Sequence, residues 1–372
     1  MVNFSLMGNE YDIVVIWWGA SGLFASAILP KDLKKLIIEK KDNLGSKVLL
    51  SGWWRCNFTN KNIDPLKDYS SGDISFVQKV FDKFSNIDMI NFVENKLMKT
   101  KVEDNGRVFL DWWRSKRFLQ FLVELDSENG VEFKLWCEVE DIEILDSDYK
   151  FKIITSAWKF FTKKLVISTW WKSFPQIGAS SFALDFARRL WLKINNEFQA
   201  LCGMETVEDL SLVTWNSIKA RFTLREKNNI VYDKIGAVLF THRWISWPVV
   251  FDSTLYIWNK NLSDFEIELI FEKWDVPAKI VRKLNLERTR YKLKTHPKQL
   301  RSWEEAKVMW GGISVSELKE NFECKSASGL YFIWEALDVA GRTWWFNLQW
   351  AWSSGYVCAK DFQLNHWLPF LS

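Results

Sequence analysis

The sequence predicts an α/β fold: a Rossmann-like domain assembled from both chain ends, with an inserted β-barrel-like domain and a small helical subdomain. Three features point there. The chain opens as a βαβ unit, with a β-branched run at Tyr11 to Ile16, small residues at helical spacing from Gly19 to Ala27, and a second apolar run at Leu36 to Glu39. Glycine stands at two of the three places that the turn after such a first strand demands, Gly19 and Gly22, and a carboxylate, Glu39, closes the second strand. The texture turns β-rich after residue 190, and Gly and Ser return from Gly311 onward.

Each element follows from its residues. Tyr11 to Ile16 is continuously apolar after Asp12, as a parallel strand buried on both faces must be. The uncharged stretch from Ile13 to Leu29 imitates a membrane span, but a spanning helix wants about 20 residues and this one is interrupted by Gly19, Ser21, Gly22 and Ser26. No Lys or Arg precedes it, unlike a signal peptide, so strand followed by helix is the better reading. Gly45 to Asn60 is a loop, 74–125 is mostly helical in pattern, and 131–168 runs through strand-like pieces. Glu205 to Ser253 predicts short strands and turns, the Lys/Glu/Leu-rich 260–300 predicts helix, and Asn347 to Lys360 predicts a small-residue helix. The expected domains are 1–190 for the first part of the nucleotide-type fold, 191–257 for the β-rich insertion, 258–305 for the helical subdomain, and 306–372 for the end of the insertion and the second part of the nucleotide-type fold.

Composition narrows the class. The 372 residues are 48% hydrophobic and 26% charged with a net charge of +4, which excludes a disordered, collagenous or disulfide-stapled chain. No basic stripe is present, so nucleic acid is not the expected partner. Five scattered cysteines without a CxxC, and three histidines away from metal-ligand spacing, predict no metal and a reducing, cytoplasmic setting. One imbalance stands out: Trp is 24 of 372 residues, 6.5%, while Gly is 16, or 4.3%, against a usual share of about 7%. Trp doublets stand at 17–18, 53–54, 112–113, 170–171 and 344–345.

Four stretches carry specific patterns: Ser51-Gly-Trp-Trp-Arg55-Cys56-Asn57-Phe-Thr-Asn60, Ser168-Thr169-Trp170-Trp171, Thr241-His-Arg-Trp-Ile-Ser-Trp-Pro248, and the long run from Gly329 to Gln349. In order and across nearly the whole chain, they resemble the BaiN-type (YhiN-like) flavoproteins, also labelled aminoacetone-oxidase-like, which carry SGGGRCNxTN, ATGG, THxGISGP and GLYFxGExLDxxGxTGGYNLQ. The resemblance implies an FAD-dependent oxidoreductase. It implies that Gly19, Ala20, Ser21 and Gly22 cradle the FAD pyrophosphate at a helix N-terminus, that Glu39 holds the adenosine ribose, and that Lys40 and Lys47 flank it. Arg55, Cys56 and Asn57 would lie in the loop around the cofactor, Val139 would offer backbone to the adenine, and Thr169 would mark the return of the chain to the nucleotide. Asp338 would face the ribityl chain and pyrophosphate, and Thr343 with Asn347, Leu348 and Gln349 would meet the isoalloxazine edge. NAD(P)H enters as a transient reductant and a small organic molecule as substrate; membrane and nucleic acid do not.

This chain departs from the family in one systematic way. Trp replaces family glycine at 17, 18, 53, 54, 170, 171, 191, 244, 247, 334, 344 and 345. Drift would scatter over many residue types. Returning these twelve to glycine gives 28 glycines, 7.5% of the chain, so the Trp excess and the Gly deficit are one deviation. Trp350 and Trp352 fall in a helix where large residues are unobjectionable, and the 112–113 pair has no account. An indole in the space of a pyrophosphate predicts that FAD is kept out.

Plainer readings stand beside these. Glu39 can be a solvated strand end, Cys56 a small buried residue, Arg55 the partner of Glu335 or Asp338, and His242 a structural histidine. Two other functions remain open: a Trp-rich carbohydrate or nucleic-acid binding module without catalysis, and an FAD-dependent RNA-modifying enzyme.

Overall fold

The computed structural model describes residues 9–17, 19–41, 45, 48–49, 55–96, 98–111, 115–169, 180–257, 260–272, 278–283, 286 and 291–367. The chain separates into two compact units. One takes Met1–Trp171, Pro175–Asn195 and Gly311–Ser372, and the other is built on Asn196–Trp310.

The first unit begins with β1 (Glu10–Ile16), α1 (Ala20–Ile28) and β2 (Lys35–Ile38). It continues through β3 (Asn57–Asn60), β4 (Tyr69–Ser71), α2 (Ile74–Lys83) and α3 (Asn86–Asn95), then β5 (Thr100–Val102), β6 (Arg107–Leu110) and α4 (Ser115–Glu128). The strands β7 (Val131–Lys134), β8 (Val139–Ile144), β9 (Phe151–Thr155) and β10 (Lys159–Ile167) follow, and then α5 (Phe182–Arg189). The helical pattern of 74–125 is thus realised with a β5–β6 hairpin inside it.

Seven strands of this unit form one sheet in the order β7-β2-β1-β10-β9-β8, with a later strand also on β10. β7, β2, β1 and β10 are mutually parallel, with Val14 opposite both Leu36 and Leu165. Ile13 to Ile16 are at most 1% exposed because the strand is covered on both faces, which is why β1 reads as one apolar run. The chain moves outward from β1 through β2 to β7 and returns on the other side of β1 with β10. The carboxyl end of β1 is therefore the point where the strand order reverses, the place where open α/β sheets bind ligands.

β11 (Ile194–Ala200) leads into the second unit, which holds β12 (Met204–Thr206), β13 (Ser217–Glu226), β14 (Asn229–Phe240), β15 (Trp244–Ser246), α6 (Pro248–Ser253), β16 (Phe265–Phe271), α7 (Ala278–Lys283), β17 (Lys292–Thr295) and β18 (Pro297–Leu300). Its strands pair antiparallel in the order β17-β16-β13-β14-β15-β12-β18 around Phe222, Leu224, Phe240, Ile267 and Leu269. The helical subdomain expected at 258–305 is corrected in part: its described residues hold three strands of this sheet beside the short helix α7. In FEIELIF, Phe265, Ile267, Leu269 and Phe271 turn inward on alternate positions. That is a period of two, which the Lys and Glu content of the segment disguises.

The chain leaves on β19 (Val308–Ile313), and completes the first unit with β20 (Leu330–Phe332), β21 (Val339–Gly341) and α8 (Trp344–Trp367). β20 joins the main sheet parallel to β10. α8 crosses α1 closely: a Cβ on Gly355 would lie 2.7 Å from the Ser21 carbonyl oxygen. Among the described residues no helix is long and apolar enough to cross a membrane.

Candidate functional site

The switch point of the first sheet is held by backbone. The Trp17 N–H donates to the Ile38 carbonyl (2.9 Å) and the Ser168 N–H to the Ile16 carbonyl (3.2 Å), which fixes the loop after β1 between β2 and β10. α1 starts on Gly19 with no capping side chain and no acidic residue in its first turn, so its N-terminal dipole is not neutralised from within. A Cβ on Gly22 would meet Ser168 Oγ at 2.6 Å and the Trp17 carbonyl at 2.7 Å, so the helix lies on the strand only because Gly22 has none. Ala20 and Ser21 are buried, and Ser21 Oγ makes no hydrogen bond to the described residues.

Glu39 and Lys40, at the end of β2, meet the two residues that precede Val139. The Cys137 N–H donates to the Glu39 carbonyl (2.9 Å), Lys41 N–H donates to Glu39 Oε1 (3.0 Å), and Lys40 is paired with Glu138 at 2.5 Å on the surface. Val139 is buried at the start of β8, and Thr169 is buried one residue past Ser168. Lys47 lies outside the described residues. Arg55 reaches neither Glu335 nor Asp338; it is exposed, 2.5 Å from Glu103, and lies over the Phe109 ring. The carboxylate of Glu103 raises its pKa further. Cys56 is fully buried with φ 59°, and Asn57 is buried where β3 pairs with β6.

The closing motif builds a second helix start. Asp338 is buried; its Oδ1 accepts from Val315 N–H (2.9 Å), and its Oδ2 from Gly72 N–H (3.2 Å) and Asn195 Nδ2 (2.5 Å). Burial pushes this carboxyl from its ordinary 3.8 up to about 6, against the pull of the three donors. Asn347 ties the turn before α8: its Oδ1 accepts from Gly341 N–H and its Nδ2 donates to the Gly341 and Thr343 carbonyls, all at 2.9 Å. Gln349 accepts from Thr59 Oγ1 (2.6 Å) and donates to Ser353 Oγ (3.0 Å), and Leu348 is buried. Thr343 Oγ1 makes no hydrogen bond to the described residues. Gly72 and Asn195 went unnoticed in the sequence; no spacing links them to Asp338, because all three meet only through tertiary contacts.

Two tryptophans occupy this region. Trp334, with φ 62° and 1% exposed, lays its ring on the start of α1: a Cβ on Gly19 would collide with Trp334 Cζ3. Trp17 has φ 69° in the loop itself and packs edge-on against Phe182.

Residues 11–361 match the family described as the HI0933-like protein Rossmann domain. The chain belongs to this family. Members are FAD-dependent oxidoreductases, so the chain is an enzyme of that class by family. A ribosomal RNA dihydrouridine synthase of Escherichia coli (strain K12) is 26% identical over 401 residues, covering 95% of this chain and 98% of the relative. A 3-dehydro-bile acid delta(4,6)-reductase of Clostridium scindens is 22% identical, covering 94% and 98%. The fold is shared with a 3-ketosteroid-delta4-(5alpha)-dehydrogenase from Rhodococcus jostii RHA1, at a TM-score of 0.55 and 11% identity over 96% of this chain and 98% of that one.

The backbone of this HI0933-like chain fits FAD and its side chains do not. The uncapped α1 at the switch point and the hydroxyls of Ser21 and Thr343, unbonded among the described residues, are what a dinucleotide site provides. The ring of Trp334 covers the α1 start, and a phosphate cannot reach those N–H groups while the ring is there.

Proposed function

We propose that this protein is a cytoplasmic reductase that, with glycine in its nucleotide loops, uses FAD to saturate a carbon–carbon double bond conjugated to a carbonyl in a small organic molecule, drawing its electrons from NAD(P)H. The observation that carries the reading is the uncapped N-terminus of α1 at the switch point of the first sheet, in a chain that matches, over 95% and 94% of its length, two relatives whose names describe this kind of chemistry. A dihydrouridine synthase and a bile acid delta(4,6)-reductase both act on a double bond in conjugation with a ring carbonyl. A net charge of only +4 favours a small acceptor over a polyanion. A second reading, favoured by the 26% identity to the ribosomal RNA enzyme, places the same acceptor in the uracil ring of an RNA.

The test uses protein carrying glycine at the nucleotide-loop tryptophans, loaded with FAD and assayed for NAD(P)H consumption. The acceptors are a 3-oxo-delta(4,6) steroid and a ribosomal RNA transcript. Turnover of the steroid alone supports the small-molecule reading, turnover of the transcript alone supports the RNA reading, and reduction of neither removes both.

A further inference from the structure

We propose that the functional polypeptide carries glycine at Trp17, Trp136, Trp191, Trp215, Trp247 and Trp334, because the codon that stands for tryptophan at these places is read as glycine in the cell that makes the protein. The inference rests on backbone conformation and holds whatever the enzyme's substrate is.

Among the described residues, thirteen non-glycine residues have positive φ, and six of them are these tryptophans, with φ of 69°, 55°, 58°, 63°, 95° and 62°. By its share of the chain Trp would fill fewer than one of the thirteen. For a bulky residue a positive φ is an outlier; Asn, the usual non-glycine occupant, accounts for two.

Two positions decide the matter. Trp191 closes α5 with the hydrogen bonds of a Schellman turn: its own N–H reaches the Arg188 carbonyl (3.0 Å) and the Leu192 N–H reaches the Ala187 carbonyl (3.1 Å). The left-handed residue of that turn is usually glycine. The side chain of Trp191 is 94% exposed, so no packing offsets the conformation. Trp247 precedes α6 at φ 95°, ψ 166°, a region essentially confined to glycine.

A second class of tryptophan behaves normally. Trp350 and Trp352 lie within α8, at most 1% exposed, and their indole N–H groups donate to the carbonyls of Trp334 (3.3 Å) and Phe58 (2.9 Å). Their shape and their donor are both in use. One residue type therefore fills two opposite roles, and the genetic code offers a reason. UGG encodes tryptophan, and UGA, read as tryptophan in some codes, differs from the glycine codon GGA only in its first base. A UGA decoded as glycine, beside UGG decoded as tryptophan, yields both classes and also the chain's shortage of glycine.

The gene and the protein each give a test. The expected codons are UGA at the six positions and UGG at 350 and 352; UGG at all eight overturns the proposal. Peptide masses of protein from its own cells should show glycine at 191 and 247, and tryptophan there overturns it. A third measurement needs no native cells. In protein with glycine at the other five positions, Trp191→Gly should raise the folding equilibrium constant about fivefold to thirtyfold. An unchanged or lower constant overturns the structural half of the argument.

Discussion

A left-handed backbone and a buried indole N–H make opposite demands on residue type, and single substitutions separate them. Trp352 donates to the Phe58 carbonyl with its ring fully enclosed, so Trp352→Phe leaves that carbonyl without this donor. The expected loss is about 1–3 kcal/mol, read by chemical denaturation. Asp338 gives a prediction in pH. Its folded-state pKa is raised to about 6, so its contribution to stability is present below the ordinary 3.8 and is lost as pH rises through about 6. Asp338→Asn should therefore remove a loss of stability between pH about 4 and about 6, read as the difference between the pH–stability curves of the variant and the unsubstituted protein, while Asp126, raised in the same direction by burial, keeps its own contribution in both. An unaltered slope in the variant would show that Asp338 titrates as it does in the unfolded chain.

At the level of elements, the candidate site is made by two close approaches to α1. Gly22 lets α1 lie on β1 and β10, and Gly355 lets α8 lie on α1 against the Ser21 carbonyl, a backbone atom that cannot rotate away. Gly355→Ala should gain up to about 1 kcal/mol of helix propensity. The new methyl would sit 2.7 Å from that carbonyl oxygen, and overpacking costs about 1–3 kcal/mol. The collision wins, and a lowered denaturation midpoint is expected; a raised one would mean that the α1–α8 crossing opens freely. The elements of this frame were largely legible in the residues: β1 and β2 as apolar runs, α1 as small residues, α8 as the helix after the closing motif. β16 was not, because its charged residues suggested a helix and only its inward-turning Phe265, Ile267, Leu269 and Phe271 reveal the strand. Asp338 was legible as a chemical group but not in its role, since Val315, Gly72 and Asn195 reach it from three separate parts of the first unit.

Over the whole molecule the six left-handed tryptophans act together. At about 1–2 kcal/mol each they oppose folding by on the order of 6–12 kcal/mol, comparable to the 5–15 kcal/mol that holds a typical domain folded. The chain with tryptophan at all six is therefore expected to be largely insoluble when expressed, and the chain with glycine at these six and at the remaining family-glycine positions to fold and to take up FAD. Soluble yield and the visible flavin spectrum of the two check this directly. A yellow protein from the tryptophan-bearing chain would show that the Trp334 ring moves off the α1 start.

The residues alone determined the fold class, the βαβ opening and the family, because these depend on local periodicity and on short motifs contiguous in the chain. They also carried the exchange of glycine for tryptophan as an imbalance of composition. The motifs already marked Trp17, Trp191, Trp247 and Trp334; the tertiary structure gave their backbone conformation and added Trp136 and Trp215. The indole of Trp334 laid on Gly19 is a consequence of how segments far apart in the chain dock, and no count of residues contains it.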